Sequence, residues 1–159
     1  MPFPKWMRGE SDMQFVETAR LLEELITDFC TDLPTKYTKY WTDEIVKLAA
    51  EVHNYTRAAN NIFPQNKHEL QMRRDYLTRA NAALQNIGPK LGIIYDKLTK
   101  HYKSKYLENP NTRDPQKFKK KSDWLDGKVH QAGEYIFEES KLISKVKSAD
   151  LDRFKSLPD

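Results

Sequence analysis

Apolar residues return along this chain at steps of three and four. The first set is Phe15, Ala19, Leu22, Ile26, Phe29 and Leu33, preceded by Ser11 and Asp12 as cap candidates and followed by Pro34. That spacing keeps the residues on one side of an α-helix, and proline cannot continue it. A second set, Ile45, Leu48, Val52, Tyr55, Ala59 and Ile62, follows Thr42, Asp43 and Glu44 and stops before Pro64. Threonine as N-cap with acidic residues behind it suits the positive end of a helix dipole, so the spacing predicts a helix from Thr42.

A third set opens near Lys67 and runs Leu77, Ala80, Leu84, Ile87, Leu91, Ile94 and Leu98, with Gly88-Pro89 inside it. The register carries across Pro89, which favours one kinked helix over two. From His101 to Lys121 the periodicity lapses around Asn109-Pro110-Asn111 and Asp114-Pro115, which reads as a mobile linker. A fourth helix is expected from Ser122 and Asp123, with Leu125, Val129, Ala132, Ile136, Ile143 and Val146 on its apolar side and Leu151 and Phe154 as an extension.

Four such stripes escape water by facing one another. The expected fold is all-α, an antiparallel up-down-up-down four-helix bundle with interhelical angles of about 20°. The 159 residues suit one domain over 1–159, with a basic linker at about 103–121 between the third and fourth helices. Only 5 glycines, and polar positions rich in Lys, Glu, Asp and Gln, agree with helix over sheet. The lone Cys30 falls on an apolar stripe and reads as packing. Residues 1–6, Met-Pro-Phe-Pro-Lys-Trp, lead into no apolar run, and no stretch approaches the roughly 18 apolar residues of a membrane span. A soluble, cytoplasmic protein without a membrane partner is expected.

The chemistry of known centres is absent from the spacing. No Glu has a His three residues on, as a di-iron bundle requires. His68-Glu69 lacks the second histidine of a zinc hydrolase, and Asp126 with His130 makes only a two-ligand pair. The glycines fit neither a phosphate loop nor a dinucleotide fingerprint, and no nucleophile elbow occurs. No enzyme activity, no metal and no cofactor are expected.

Charge changes the picture. Between Lys97 and Lys121 stand nine basic residues, Lys97, Lys100, Lys103, Lys105, Arg113, Lys117, Lys119, Lys120 and Lys121, against Glu108 and Asp114, a local charge of +7 in a chain of net +4. Tyr95, Tyr102, Tyr106 and Phe118 are interleaved with them, a mixture suited to neutralising phosphates and stacking on bases. A solvated charged linker is the competing reading. Lys36-Tyr37-Thr38-Lys39-Tyr40-Trp41, taken as a turn before the second helix, and Arg73, Arg74 and Arg79 form further basic groups. Trp41 reads more readily as packing than as binding, and Arg73 and Arg74 could equally serve salt bridges.

Three stretches carry a resemblance: Leu33-Pro34-Thr35-Lys36-Tyr37, then Ile45-Val46-Lys47-Leu48-Ala49-Ala50 closing with Ala59-Asn60-Asn61-Ile62-Phe63-Pro64, then Arg73-Arg74-Asp75-Tyr76-Leu77-Thr78-Arg79-Ala80. Over residues 15 to 98 the chain resembles the four-helix-bundle family of accessory variability proteins of diversity-generating retroelements and of proteins encoded in intervening sequences of bacterial 23S ribosomal RNA. The resemblance implies a basic, barrel-like homopentamer that binds a reverse transcriptase and its RNA or DNA, with Lys36, Lys39, Arg73, Arg74 and Arg79 as the nucleic-acid positions. The chain departs from that pattern at Thr38, where an arginine is expected, in the long basic stretch, and at Glu134, Glu138 and Glu139.

The expected function is that of a non-enzymatic nucleic-acid-binding accessory protein of a mobile element, self-associating and partnered by RNA or DNA, with a reverse transcriptase as a candidate partner. The alternative is a protein–protein adaptor or self-assembling scaffold with no nucleic-acid role.

Overall fold

The computed structural model describes residues 10–159, with side chains from Met13; the N-terminal hexapeptide lies outside them. Four helices make up the fold: α1 (Glu10–Thr31), α2 (Thr35–Asn60), α3 (Lys67–Lys103) and α4 (Pro115–Arg153), and the described residues contain no strand. Each helix packs against two others, α1 on α2 and α4, and α3 on α2 and α4. The apolar stripes meet in one core that includes Phe15, Leu22, Ile26, Phe29, Ile45, Leu77, Leu84, Ile94, Leu98, Leu125 and Ile143. Burial of such side chains, each contributing about 1.5–3 kcal/mol, holds helices that would be marginal alone. Cys30 is buried in this core, which pushes its thiol up to about 11 and leaves it un-ionised and unreactive. No helix among the described residues is long and apolar enough to cross a membrane.

Three boundaries differ from the expectation. Ser11 and Asp12, expected to precede the first helix, lie within the range of α1. Helix α2 starts at Thr35, not after a turn ending at Thr42, because Tyr37 and Trp41 continue the stripe of Ile45 backwards at a spacing of four. Their rings stack at 4.7 Å between centroids, and both pack on the core. Trp41 is therefore packing, as expected. Lysines between the aromatics hide this extension from a reading that weighs polarity alone.

The third correction concerns the basic linker at 103–121. The connection between α3 and α4 is only 104–114, and Pro115 to Lys121 form the first two turns of α4. Asp114-Pro115, read as a chain breaker, is a helix start: the Asp114 carboxylate accepts from the amide of Lys117 at 3.1 Å, and proline occupies the first turn. Ser122 and Asp123 accordingly lie within α4. The connection is also tied down. A π turn, Ser104–Glu108, closes with the Asn109 amide on the Ser104 carbonyl at 3.0 Å, and the Asp114 amide reaches back to the Tyr106 carbonyl at 2.8 Å. Thr112 donates to the Lys105 carbonyl.

Helix α3 runs unbroken through Pro89. Proline removes one backbone bond, to the carbonyl of Gln85, but Gln85, Gly88 and Pro89 are all exposed, so water can satisfy that carbonyl.

Candidate nucleic-acid interface

The lysines predicted from sequence are gathered by the fold. Lys36 and Lys39 belong to the first turns of α2, Lys97, Lys100 and Lys103 to the end of α3, Lys105 to the π turn, and Lys117, Lys119, Lys120 and Lys121 to the start of α4. Two contacts bring these segments together: Tyr37 lies edge-on to His101 at 5.2 Å, and Lys117 Nζ sits 5.4 Å above the Tyr106 ring; Trp124 in turn stacks on Phe29 of α1 at 5.5 Å. His101 is held below its ordinary range by burial first and then by the charges on Lys36 and Lys105, so near neutral pH it adds no charge of its own.

All ten of these lysines are exposed except Lys121, which is half-buried. Among the described residues none of them lies within 4 Å of a carboxylate. A set of ammonium groups with no carboxylate in ion-pair contact suits a phosphate backbone.

Helical spacing then sorts the lysines of α4. Lys117, Lys120, Lys121 and Trp124 fall three and four residues apart and share one face, while Lys119 points elsewhere. That face, with Asp32 at the end of α1, lines a cavity of about 570 Å³.

The arginines tell a different story. Arg73 is 5 % exposed and bidentate to Asp150, with Nε on Oδ2 at 2.7 Å and Nη2 on Oδ1 at 3.2 Å. Its Nη1 also donates to the carbonyls of Ala59 and Ile62 at the end of α2, at 3.0 and 3.3 Å. Arg73 is thus a structural clamp joining α2, α3 and α4, and it leaves the set of nucleic-acid candidates. Arg74 is half-buried, and Arg79 is exposed with its guanidinium 5.9 Å from the Tyr76 ring. Along the axis of α3, Arg74 stands roughly 39 Å from Lys100. Of the positions implied by the family resemblance, Lys36 and Lys39 therefore join the lysine cluster and the three arginines do not.

The interleaved aromatics are also reassigned. Tyr102 and Tyr106 are buried in the core and cannot stack on an external base. Tyr95 is half-buried and its hydroxyl donates to Asp126 at 2.7 Å. Phe118 packs partly against the core. The aromatic side chain that does line the basic cavity is Trp124, which the spacing Lys117, Lys120, Lys121, Trp124 discloses once Pro115 is taken as a helix start.

Two further polar groups, Glu139 and the half-buried His53, lie outside this cluster. Glu139 on α4 is fully buried, and neither carboxyl oxygen has a hydrogen-bond partner among the described residues. Burial above all, and then the charge on Glu138, push its carboxyl up to about 9. His53 bridges to Glu23 between α2 and α1 at 2.8 Å. No group of three or more His, Cys, Asp or Glu among the described residues is placed to hold a metal ion. No protein-family model, curated protein or solved structure matches the chain.

Proposed function

We propose that the protein is a non-enzymatic nucleic-acid-binding bundle whose lysine-rich end engages the phosphates of RNA or DNA. The observation that carries this reading is the convergence, from three helices and the π turn, of ten lysines that find no carboxylate partner among the described residues. An antiparallel up-down-up-down order is part of the reading. It is supported by Asn60 near the end of α2 donating to Met13 near the start of α1, and by the Lys67 amide at the start of α3 donating to the Pro158 carbonyl beyond α4. The family resemblance adds a mobile-element context, a reverse transcriptase as protein partner, a homopentameric assembly and a cytoplasmic location.

The test is a fluorescence-anisotropy titration with labelled single-stranded and duplex RNA and DNA at about 50 and about 200 mM salt, an interval over which 6–10 phosphate contacts weaken affinity by about 10³–10⁵. Replacing Lys117, Lys119, Lys120 and Lys121 by Gln is expected to flatten the log–log salt slope for single strands by about three, since each lost contact removes about 0.7. Absence of binding at both salt concentrations would overturn the proposal.

One observation favours the adaptor reading. Tyr40 and Ile93, 71 % and 50 % exposed, flank a groove of about 260 Å³ between α2 and α3 that the Lys90–Glu44 ion pair crosses at 2.9 Å. Binding of a protein there, driven by apolar contact, is expected to be nearly indifferent to salt.

A further inference from the structure

Within the lysine-rich end, the cavity beside Trp124 has a composition that plain phosphate binding does not require. Its volume of about 570 Å³ lies inside the roughly 300–1,000 Å³ span of small-molecule sites. Three ammonium groups, Lys117, Lys120 and Lys121, share its wall with an indole and with the carboxylate of Asp32. One face of the indole rests on Phe29, with ring planes 15° apart, which holds it in a fixed orientation. Asp32 is exposed and makes no side-chain hydrogen bond or ion pair among the described residues, so both of its oxygens remain available as acceptors.

An acidic peptide would meet the lysines, but its carboxylates offer neither a π face to the indole nor a donor to Asp32. A bare phosphate would use neither the indole nor the acceptor. A nucleotide uses all three: phosphate for the ammonium groups, a π face for the indole, and ring N–H groups for the carboxylate. The bases differ in what they offer Asp32. Guanine presents N1–H and the N2 amino group side by side, matching two carboxylate oxygens. Adenine and cytosine set a ring acceptor next to their amino group, and uracil and thymine flank one N–H with two carbonyls.

From this arrangement we infer that the cavity between the end of α1 and the start of α4 is a guanine nucleotide subsite, in which the base stacks on Trp124, its Watson–Crick edge donates to Asp32, and its phosphate lies against Lys117, Lys120 and Lys121. The inference rests on the nucleic-acid reading above and adds base selectivity to it. The ligand's chemistry is shared by a free mononucleotide and by an unpaired guanine in a strand.

The experiment compares anisotropy titrations of labelled oligothymidine with those of the same oligomer carrying one central guanine, using the full chain, Asp32→Asn and Trp124→Phe. The guanine oligomer is expected to bind about tenfold more tightly, the order that one stacked base or one bidentate base contact contributes. Asp32→Asn, an exposed and structurally mild change, abolishes the preference while leaving binding of oligothymidine equal or stronger. Trp124→Phe weakens binding of both oligomers and keeps part of the preference. Displacement of the labelled oligomer by guanosine 5′-monophosphate, and not by the uridine nucleotide, assigns the subsite to the nucleotide itself; a retained preference without displacement assigns it to guanine within a strand. Equal, salt-sensitive binding of both oligomers by all three proteins overturns the subsite and leaves the lysine-rich interface standing. No binding of either oligomer overturns both.

Discussion

Glu139→Met is expected to stabilise the protein at pH 7 by about 3 kcal/mol and to raise its Tm by roughly 10 °C. Glu139 occupies a core position of α4, has no exposed surface and leaves both carboxyl oxygens without partners among the described residues. Its carboxyl titrates near 9 in the folded protein, against an ordinary value of 4.5. A folded value raised above the unfolded one means that the folded state keeps a proton which the unfolded chain releases. Stability is therefore complete below about 4.5 and declines as pH rises towards 9, by about 1.4 kcal/mol for each pH step of one. Methionine fills a similar volume with no polar group to desolvate. Urea denaturation of both proteins at pH 4.5, 7 and 9 gives the check: the stability difference should widen with pH. A difference that stays constant would show that Glu139 is solvated or paired.

The opposite outcome is expected at the clamp. Arg73→Met should cost about 3–5 kcal/mol, because it leaves the Asp150 carboxylate buried with no cation beside it. The double variant Arg73→Met/Asp150→Leu is expected to regain much of that loss, since removing both charges also removes the desolvation burden. Recovery stays incomplete because the carbonyls of Ala59 and Ile62 lose the donor that Arg73 supplied. A double-mutant cycle followed by chemical denaturation measures the coupling. Nucleic-acid affinity of the double variant should match that of the parent. A large fall in affinity with the fold intact would return Arg73 to the binding surface.

These two residues also show what a pattern of apolar positions can and cannot disclose. The three-four stripes located all four helices, because burial of a continuous stripe is the force that forms them. The same stripes contained the buried polar sites. The series Leu125, Val129, Ala132, Ile136, Ile143 and Val146 skips one place, and Glu139 fills it; Arg73 likewise stands four residues before Leu77 in its stripe. Counting only apolar residues passes over these positions, whereas asking which residue occupies each core place would have found them. The candidate site was legible as charge and not as shape. The lysines of 97–121 were evident, but their division between a π turn and a helix face depends on Asp114-Pro115 acting as cap and first turn, and those two residues serve as readily in a loop. The aromatics misled for a related reason: Tyr102 and Tyr106, four residues apart, extend the core stripe beyond Leu98, and the lysines around them gave the appearance of an exposed patch.

The π turn at Ser104–Glu108 makes chain length itself a geometric constraint. An α-helix closes its ladder over four residues, whereas here the Asn109 amide reaches five back, to Ser104. Deleting one residue would draw this turn into ordinary α geometry and rotate the following chain by about 100°. The amide of Asp114 would then be carried off the Tyr106 carbonyl, and the start of α4 would swing with it. In related sequences, insertions and deletions should accordingly collect in the other two connections, 32–34 and 61–66, and avoid 104–114. Length variation in this segment would mark a lineage that had given up the lysine face.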